Sequence, residues 1–411
     1  MRRAFLDYQS STPVRPEVLE AMRPFFSEHF GSPSALHQHG LRARDALARA
    51  REQMAAFIHA ASPDEIIFTS CGTEAANLAV FGAAHANRSR GNHLVVGAIE
   101  HPSVLGAVTA LEKQGFTCSR VSVDGQGRID PQAVREALTD RTILVAVHHV
   151  NHDIGTVEPV REIAELTGER GIPLFVDAVA GAGWLPIDVQ AWGVNLLSLS
   201  PHRFHGPKGV GVLYRQRRTR LCPQIVGGAQ EQGLRAGTEN VPAIVGAGVA
   251  AEITGRRREQ RAAHVADLQR RLWDGLRSRV SYLRLNGPEP GTGRSPANLN
   301  VSVEFVEGEG LLLMCDARGL ALSAGTACVS KSLKVSHVLT AIGLDHALAQ
   351  GAVLFSPGED TTPEDIDFAL DTFAGAVDRL RSMSPMWEEF QRGIIDSLVA
   401  PRSAPPGRGR A

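Results

Sequence analysis

The chain has 411 residues, 43% of them hydrophobic, and its 43 basic and 44 acidic side chains leave a formal net charge of −1. That balance excludes a protein held to nucleic acid or an anionic membrane by a broad basic surface, and no apolar run approaches the ~20 residues needed to cross a bilayer. The length supplies ample core for an enzyme-sized globular chain of two domains.

In chain order, Asp64-Glu-Ile-Ile-Phe-Thr-Ser70 reads as a strand running into the small-residue turn Cys71-Gly-Thr-Glu74, which opens a helix over Ala75 to Ala84. Short apolar runs follow at Asn92 to Ala98, Thr142 to His148, Leu174 to Asp177, Asn195 to Ser200 and Val210 to Tyr214. Runs of this length, bounded by turn residues and alternating with helical stretches, predict an α/β fold: a mostly parallel sheet flanked by helices. A long polar helix over Ala243 to Arg279 leads to Asn298-Leu-Asn-Val-Ser-Val303 and a last helix near Pro363 to Met383. These elements predict a smaller α+β domain of residues 1–14 and 256–392, beside a large domain of residues 15–255. Residues 393–411, rich in Pro, Gly and Arg, are expected to be disordered.

The carboxyl ends of parallel strands form a crevice where ligands bind, which gathers Asp177, Ser200, His202 and Arg203 into one place. Gly72 and Thr73, at a helix start with exposed amides and partial positive charge, make a phosphate seat. His148, His149, His152 and Asp153 superficially suggest a metal cluster. Two of those histidines alternate along a strand and point to opposite faces, so no metal site is expected. The five cysteines, Cys71, Cys118, Cys222, Cys315 and Cys328, lack the spacing of a disulfide framework or zinc site and are expected to be reduced. Met1-Arg-Arg-Ala-Phe-Leu-Asp7 has no apolar core of a signal peptide, so a cytoplasmic location is expected.

Six motifs occur in order: Thr69-Ser-Cys-Gly-Thr-Glu74, Glu100-His101, Val176-Asp177-Ala178, His202 with Gly206-Pro-Lys-Gly209, Leu234-Arg-Ala-Gly-Thr-Glu-Asn240, and Gly325-Thr-Ala-Cys328. On these, the chain from Leu6 to Glu388 resembles a cysteine desulfurase of the NifS/IscS type, a fold-type I pyridoxal phosphate family within the class V aminotransferases. The resemblance implies a seven-stranded type of sheet and a homodimer. It implies that Thr73, Ser200 and His202 hold the cofactor phosphate, joined by Thr238 of the partner subunit. His101 would stack on the pyridine ring and Asp177 would pair with its nitrogen, strengthening the cofactor as an electron sink. Cys328 would be the thiol that takes up sulfur as a persulfide, its pKa lowered by Lys331 and Lys334.

The departures from the family pattern fall in the same crevice. Arg203 stands where the family has the Schiff-base lysine, and a guanidinium, always protonated and delocalised, is no nucleophile for an aldehyde. The chain has four lysines, Lys113, Lys208, Lys331 and Lys334, and none is a natural replacement. In Asn151-His-Asp-Ile-Gly155, His152 replaces an asparagine that would contact the cofactor's phenolic oxygen. In Asp177-Ala-Val-Ala180 a glutamine for that oxygen is gone. Leu354, in Val353-Leu-Phe-Ser-Pro-Gly-Glu359, stands for the arginine that clamps the substrate carboxylate, an interaction worth roughly 1.5–3 kcal/mol.

Three readings follow. The first is a sulfur carrier acting through Cys328, its pyridoxal phosphate step lost or impaired, fed by an active desulfurase paralogue or another donor and serving a sulfur acceptor. The second is a working L-cysteine desulfurase with noncovalent cofactor and His101 or His152 as base. The third is a non-enzymatic partner or iron–sulfur assembly scaffold with Cys328 as a cluster ligand. Pyridoxal phosphate is thus expected without a lysine link, or not at all.

Overall fold

In the computed structural model, which describes residues 2–324 and 335–399, the short apolar runs become strands of one seven-stranded sheet. In chain order these are β2 (Ile66–Thr69), β3 (His93–Gly97), β4 (Thr117–Val121), β5 (Thr142–His148), β6 (Leu174–Asp177), β7 (Leu196–Leu199) and β8 (Gly211–Arg215), ordered β2-β8-β7-β6-β5-β3-β4 across the sheet. Every pairing is parallel except those of β8, which runs antiparallel to β2 and β7. All seven residues of β5 are buried. Because successive side chains alternate, Val145 and Val147 join one core, with Leu174, Val176 and Leu197, while Leu144 and Ala146 join the other, with Phe175 and Leu196.

Two edges of the sequence reading move. The run from Asp64 begins as the 3₁₀ turn Pro63–Glu65, because Ser62 Oγ accepts from Asp64 N at 3.2 Å and proline fixes the first residue. The helix after β2 starts three residues earlier than read, at Gly72, and runs to Ala86: Cys71 caps it, its Sγ accepting from Glu74 N at 3.4 Å.

The described residues divide into two units. One comprises Gln9–His152 and Thr156–Ala262 and carries the sheet; the other comprises the described residues of Met1–Tyr8, Asp153–Gly155 and Ala263–Ala411. The helix Val241–Arg279 contributes its residues to both. In the second unit, β1 (Ala4–Phe5) pairs in parallel with β11 (Leu320–Ala321). β9 (Leu283–Leu285), β10 (Leu299–Val303) and β12 (Ala352–Phe355) form an antiparallel sheet ordered β12-β10-β9. The helix read as ending near Met383 stops at Arg381, and a further helix, Pro385–Gln391, follows. Proline cannot supply the amide that would continue the ladder, but it suits a first helical turn. Within the span read as a tail, Ser397 Oγ and Leu398 N donate to the Glu304 carboxylate at 2.6 and 2.7 Å.

The core of this second unit centres on Phe373, fully buried in the helix Pro363–Arg381 and packed edge to face on Phe355 with centroids 5.0 Å apart. Phe373→Ala is expected to lower the unfolding free energy by about 3–5 kcal/mol, read as a shifted urea midpoint of the full chain.

Candidate active site

The strand ends deliver the site. β5, β6 and β7 finish at His148, Asp177 and Leu199, and the helix Gly72–Ala86 begins beside them. One pocket is lined by Gly72, Thr73, His101, His152, Asp177, Ser200, His202 and Arg203, so eight of the ten residues singled out in the sequence meet there. Thr238 is exposed and does not line it. Cys328, with Lys331 and Lys334, lies outside the described residues. The pocket also contains residues to which the sequence reading gave no binding role, among them Cys71, Ser103 and His148.

The positive end is built around the helix start, whose first amides have no intrahelical partner. A Cβ on Gly72 would lie 3.2 Å from both the Ser200 Cβ and Val179 Cγ2, so glycine leaves the cradle open. Ser200 leads into the 3₁₀ turn Pro201–Arg203, which presents His202 and Arg203 to the pocket. The turn is tied down by Thr12, whose amide and hydroxyl both donate to the His202 carbonyl at 2.9 Å. Burial, reinforced by the neighbouring charges of Arg203 and Lys208, lowers the His202 pKa to about 4, which favours the neutral ring and leaves it hydrogen bonds as its means of interaction.

At the other end Asp177 is 7% exposed, and its Oδ1 accepts from Val179 N at 3.0 Å and Ser198 Oγ at 3.2 Å. His101 caps the helix Pro102–Glu112: its Nδ1 accepts from Ser103 N at 3.1 Å, which puts the proton of the neutral ring on Nε2. The His101 and His152 rings meet edge to face, centroids 5.1 Å apart and planes at 77°. Ala180 lines the wall where the resemblance called for glutamine, and Leu354 is buried in β12 of the other unit.

These groups fit a phosphorylated pyridine: an anion seat at Gly72, Thr73, Ser200 and His202, a carboxylate at Asp177 and an aromatic face at His101. They offer no amine to bind it covalently. Arg203 occupies the pocket, while Lys113 and Lys208, the lysines among the described residues, are both exposed and do not line it. No group of three or more His, Cys, Asp or Glu side chains among the described residues is arranged to hold a metal ion.

His148 and His149, two of the four residues of the superficial metal cluster, part as strand alternation requires. His148 sits between the buried carboxylates of Glu100 and Glu158, with Nδ1 at 2.6 Å and Nε2 at 3.2 Å from their oxygens. Burial alone would depress its pKa, but the Glu100 and then Glu158 carboxylates outweigh it and raise the ring to about 10. His149, on the other face, packs on Trp192 at 4.8 Å and is lowered to about 3 by burial and then by the charges of His148 and Arg258. The signal that would have found His148 is an ionisable residue at the buried end of a parallel strand, where a charge must have partners.

The sheet is that of a class-V aminotransferase, and the family model "Aminotransferase class-V" matches residues 4–368. The chain is 43% identical over 390 residues to "Cysteine desulfurase IscS" of Dictyoglomus turgidum, an alignment that covers 95% of this chain and 98% of that one. It is 44% identical to "Cysteine desulfurase IscS 1" of Archaeoglobus fulgidus, with 93% and 99% covered. A solved structure titled "NIFS-LIKE PROTEIN" superposes with a TM-score of 0.86 at 32% identity, over 92% of this chain and all of the other. The chain belongs to the NifS/IscS-type cysteine desulfurase family.

The two adjacent histidines give opposite pH responses. His148 binds its proton more tightly in the folded chain than unfolded, so its contribution to stability is complete below about pH 6.5 and is lost as pH rises through about 10. His149 resists protonation when folded, so its contribution is present above about pH 6.5 and is lost as pH falls toward 3. Nitrogen-15 NMR of histidine-labelled protein at pH 8 should show His148 as imidazolium and His149 as neutral imidazole.

Proposed function

We propose that the protein works in sulfur transfer with Cys328 as the carrying thiol, and that its pocket binds pyridoxal phosphate, if at all, without a covalent tether. The observation that carries this reading is Arg203 in the pocket wall, with Lys113 and Lys208 both exposed and outside the lining. A guanidinium keeps its proton at any pH the fold survives, so it supplies neither a nucleophile nor a base. In the carrier role the Cys328 thiolate attacks the terminal sulfur of a donor persulfide. The new S–S bond forms as the donor's S–S bond breaks, the donor leaves as a thiolate, and no external oxidant or reductant is needed.

Bound pyridoxal phosphate would supply an electron sink for amino-acid chemistry. Thr73, Ser200 and His202 would hold its phosphate, with Gly72 keeping the cradle open and Thr238 of the partner subunit closing it in a homodimer. Asp177 would keep the ring nitrogen protonated, and His101 would cover the ring. The retention of these groups favours a second reading, L-cysteine desulfuration with noncovalent cofactor, in which the proton must be handled by His101 or His152. Partners in either reading are a sulfur acceptor and, in the first, a persulfide donor such as an active paralogue.

Cys328→Ser is expected to abolish sulfur delivery from a persulfide donor, while Arg203→Ala leaves it within about twofold; equal loss from both would sink the carrier reading. After borohydride reduction and dialysis, wild-type protein mixed with pyridoxal phosphate should keep no pyridoxyl absorbance, whereas Arg203→Lys should retain a reduced, nondialysable pyridoxyl adduct. Release of equimolar alanine and sulfide from cysteine by the wild type would establish the second reading instead.

A further inference from the structure

The buried Glu100, His148 and Glu158 side chains have no part in the function proposed above, yet His148 lines the pocket. All three are at most 4% exposed, a costly place for ionisable groups unless they compensate one another. Around them two chain segments are fastened together. The first is the turn after β3: Gly97 leaves room for the Glu100 carboxylate to fold back, since a Cβ there would stand 2.5 Å from Glu100 Oε1. That oxygen accepts from both the amide of His148, at 3.0 Å, and its Nδ1. The residue after Glu100 is His101.

The second segment leaves β5 and returns. Glu158 N donates to the His149 carbonyl at 3.0 Å and Asn151 N to the Thr156 carbonyl at 2.8 Å, which closes the segment on itself. Asn151 Nδ2 reaches across to the Ile99 carbonyl in the first turn, 3.1 Å away. Glu158 also accepts from Ile129 N at 2.8 Å, so its carboxylate is anchored on one oxygen and faces His148 with the other. The residue after Asn151 is His152. The ring of His148 therefore stands at the junction of the two segments whose next residues are the paired rings of the pocket wall.

We propose that the Glu100–His148–Glu158 bridge is a positioning device that fixes the edge-to-face pair of His101 and His152, and through it the aromatic wall against which a flat ring is bound. Glu100 sets the turn that presents His101; Glu158 closes the segment that presents His152; His148 joins the two. Asp177, whose Cα is paired with that of His148 across β5 and β6, stands on the next strand, so the same junction borders the carboxylate end of the pocket. The device acts on the pocket wall, and it stands whether or not Cys328 carries sulfur.

The test uses the full-length protein with carbon-13 histidine labelling and two variants that perturb the bridge differently. Glu158→Gln keeps an acceptor for Ile129 N and removes the charge that faces His148; Gly97→Ala keeps all charges and displaces the Glu100 carboxylate. Each is expected to move the ring resonances of both His101 and His152, assigned from His101→Gln and His152→Gln. Each should also weaken the binding of pyridoxal 5′-phosphate in equilibrium dialysis about tenfold, the scale of coupling within a contact network. Unchanged ring resonances and affinity in both variants, with only a lower unfolding midpoint, would overturn the proposal and leave the bridge a matter of stability. Should one variant fail to fold, the other decides.

Discussion

Buried charge at the strand ends of this pocket stands in compensated form, and the arrangement of the side chains there follows from that constraint. Asp177 is held by a backbone amide and a serine hydroxyl; the two carboxyl groups flanking His148 raise its affinity for a proton; burial and charged neighbours lower that of His149, one residue away. That of His202, beside Arg203 and Lys208, is lowered for the same reason. A low-dielectric crevice magnifies each of these interactions, so the identity of one residue propagates to the protonation of the next.

Arg203 acquires its meaning from that setting. On a solvated surface arginine and lysine are nearly interchangeable cations; in this pocket Arg203 shares the lining with Asp177, Ser200 and His202, where a guanidinium, unlike an amine, does not give up its proton. The surrounding fold is that of the family. The fold remains that of a cysteine desulfurase while one chemical capability, a free amine, is absent from the described pocket. Fold and chemistry are separable in this way because packing depends on side-chain volume and burial, and catalysis on the state of a few polar atoms.

The two units are organised by different physics. The seven-stranded sheet buries apolar side chains on both faces, and its strand ends leave the backbone free to aim polar groups. The other unit rests on a smaller antiparallel sheet and one amphipathic helix, with a polar interior in which Arg294 donates to the carbonyl of Asn298 and Gln269 to those of Ser295 and Asn298. Asn298 and Asn300 in turn grip the carbonyl of Asp153, each at 3.1 Å.

The amino-acid order alone was enough for the sheet, because apolar runs of four to seven residues separated by helices leave little alternative, and for eight residues of the pocket, which lie at strand ends, at a helix start or in the turns that follow. It also fixed arginine at position 203, whose guanidinium no geometry turns into a free amine. Tertiary structure decided that β8 is antiparallel, which short buried strands do not encode. It decided that the helix after β2 begins at Gly72, through a cap by Cys71. Above all it decided the fate of His148: its two carboxylates lie 48 residues before it and 10 after it in the chain, and only folding brings three separately unremarkable ionisable residues within hydrogen-bonding reach.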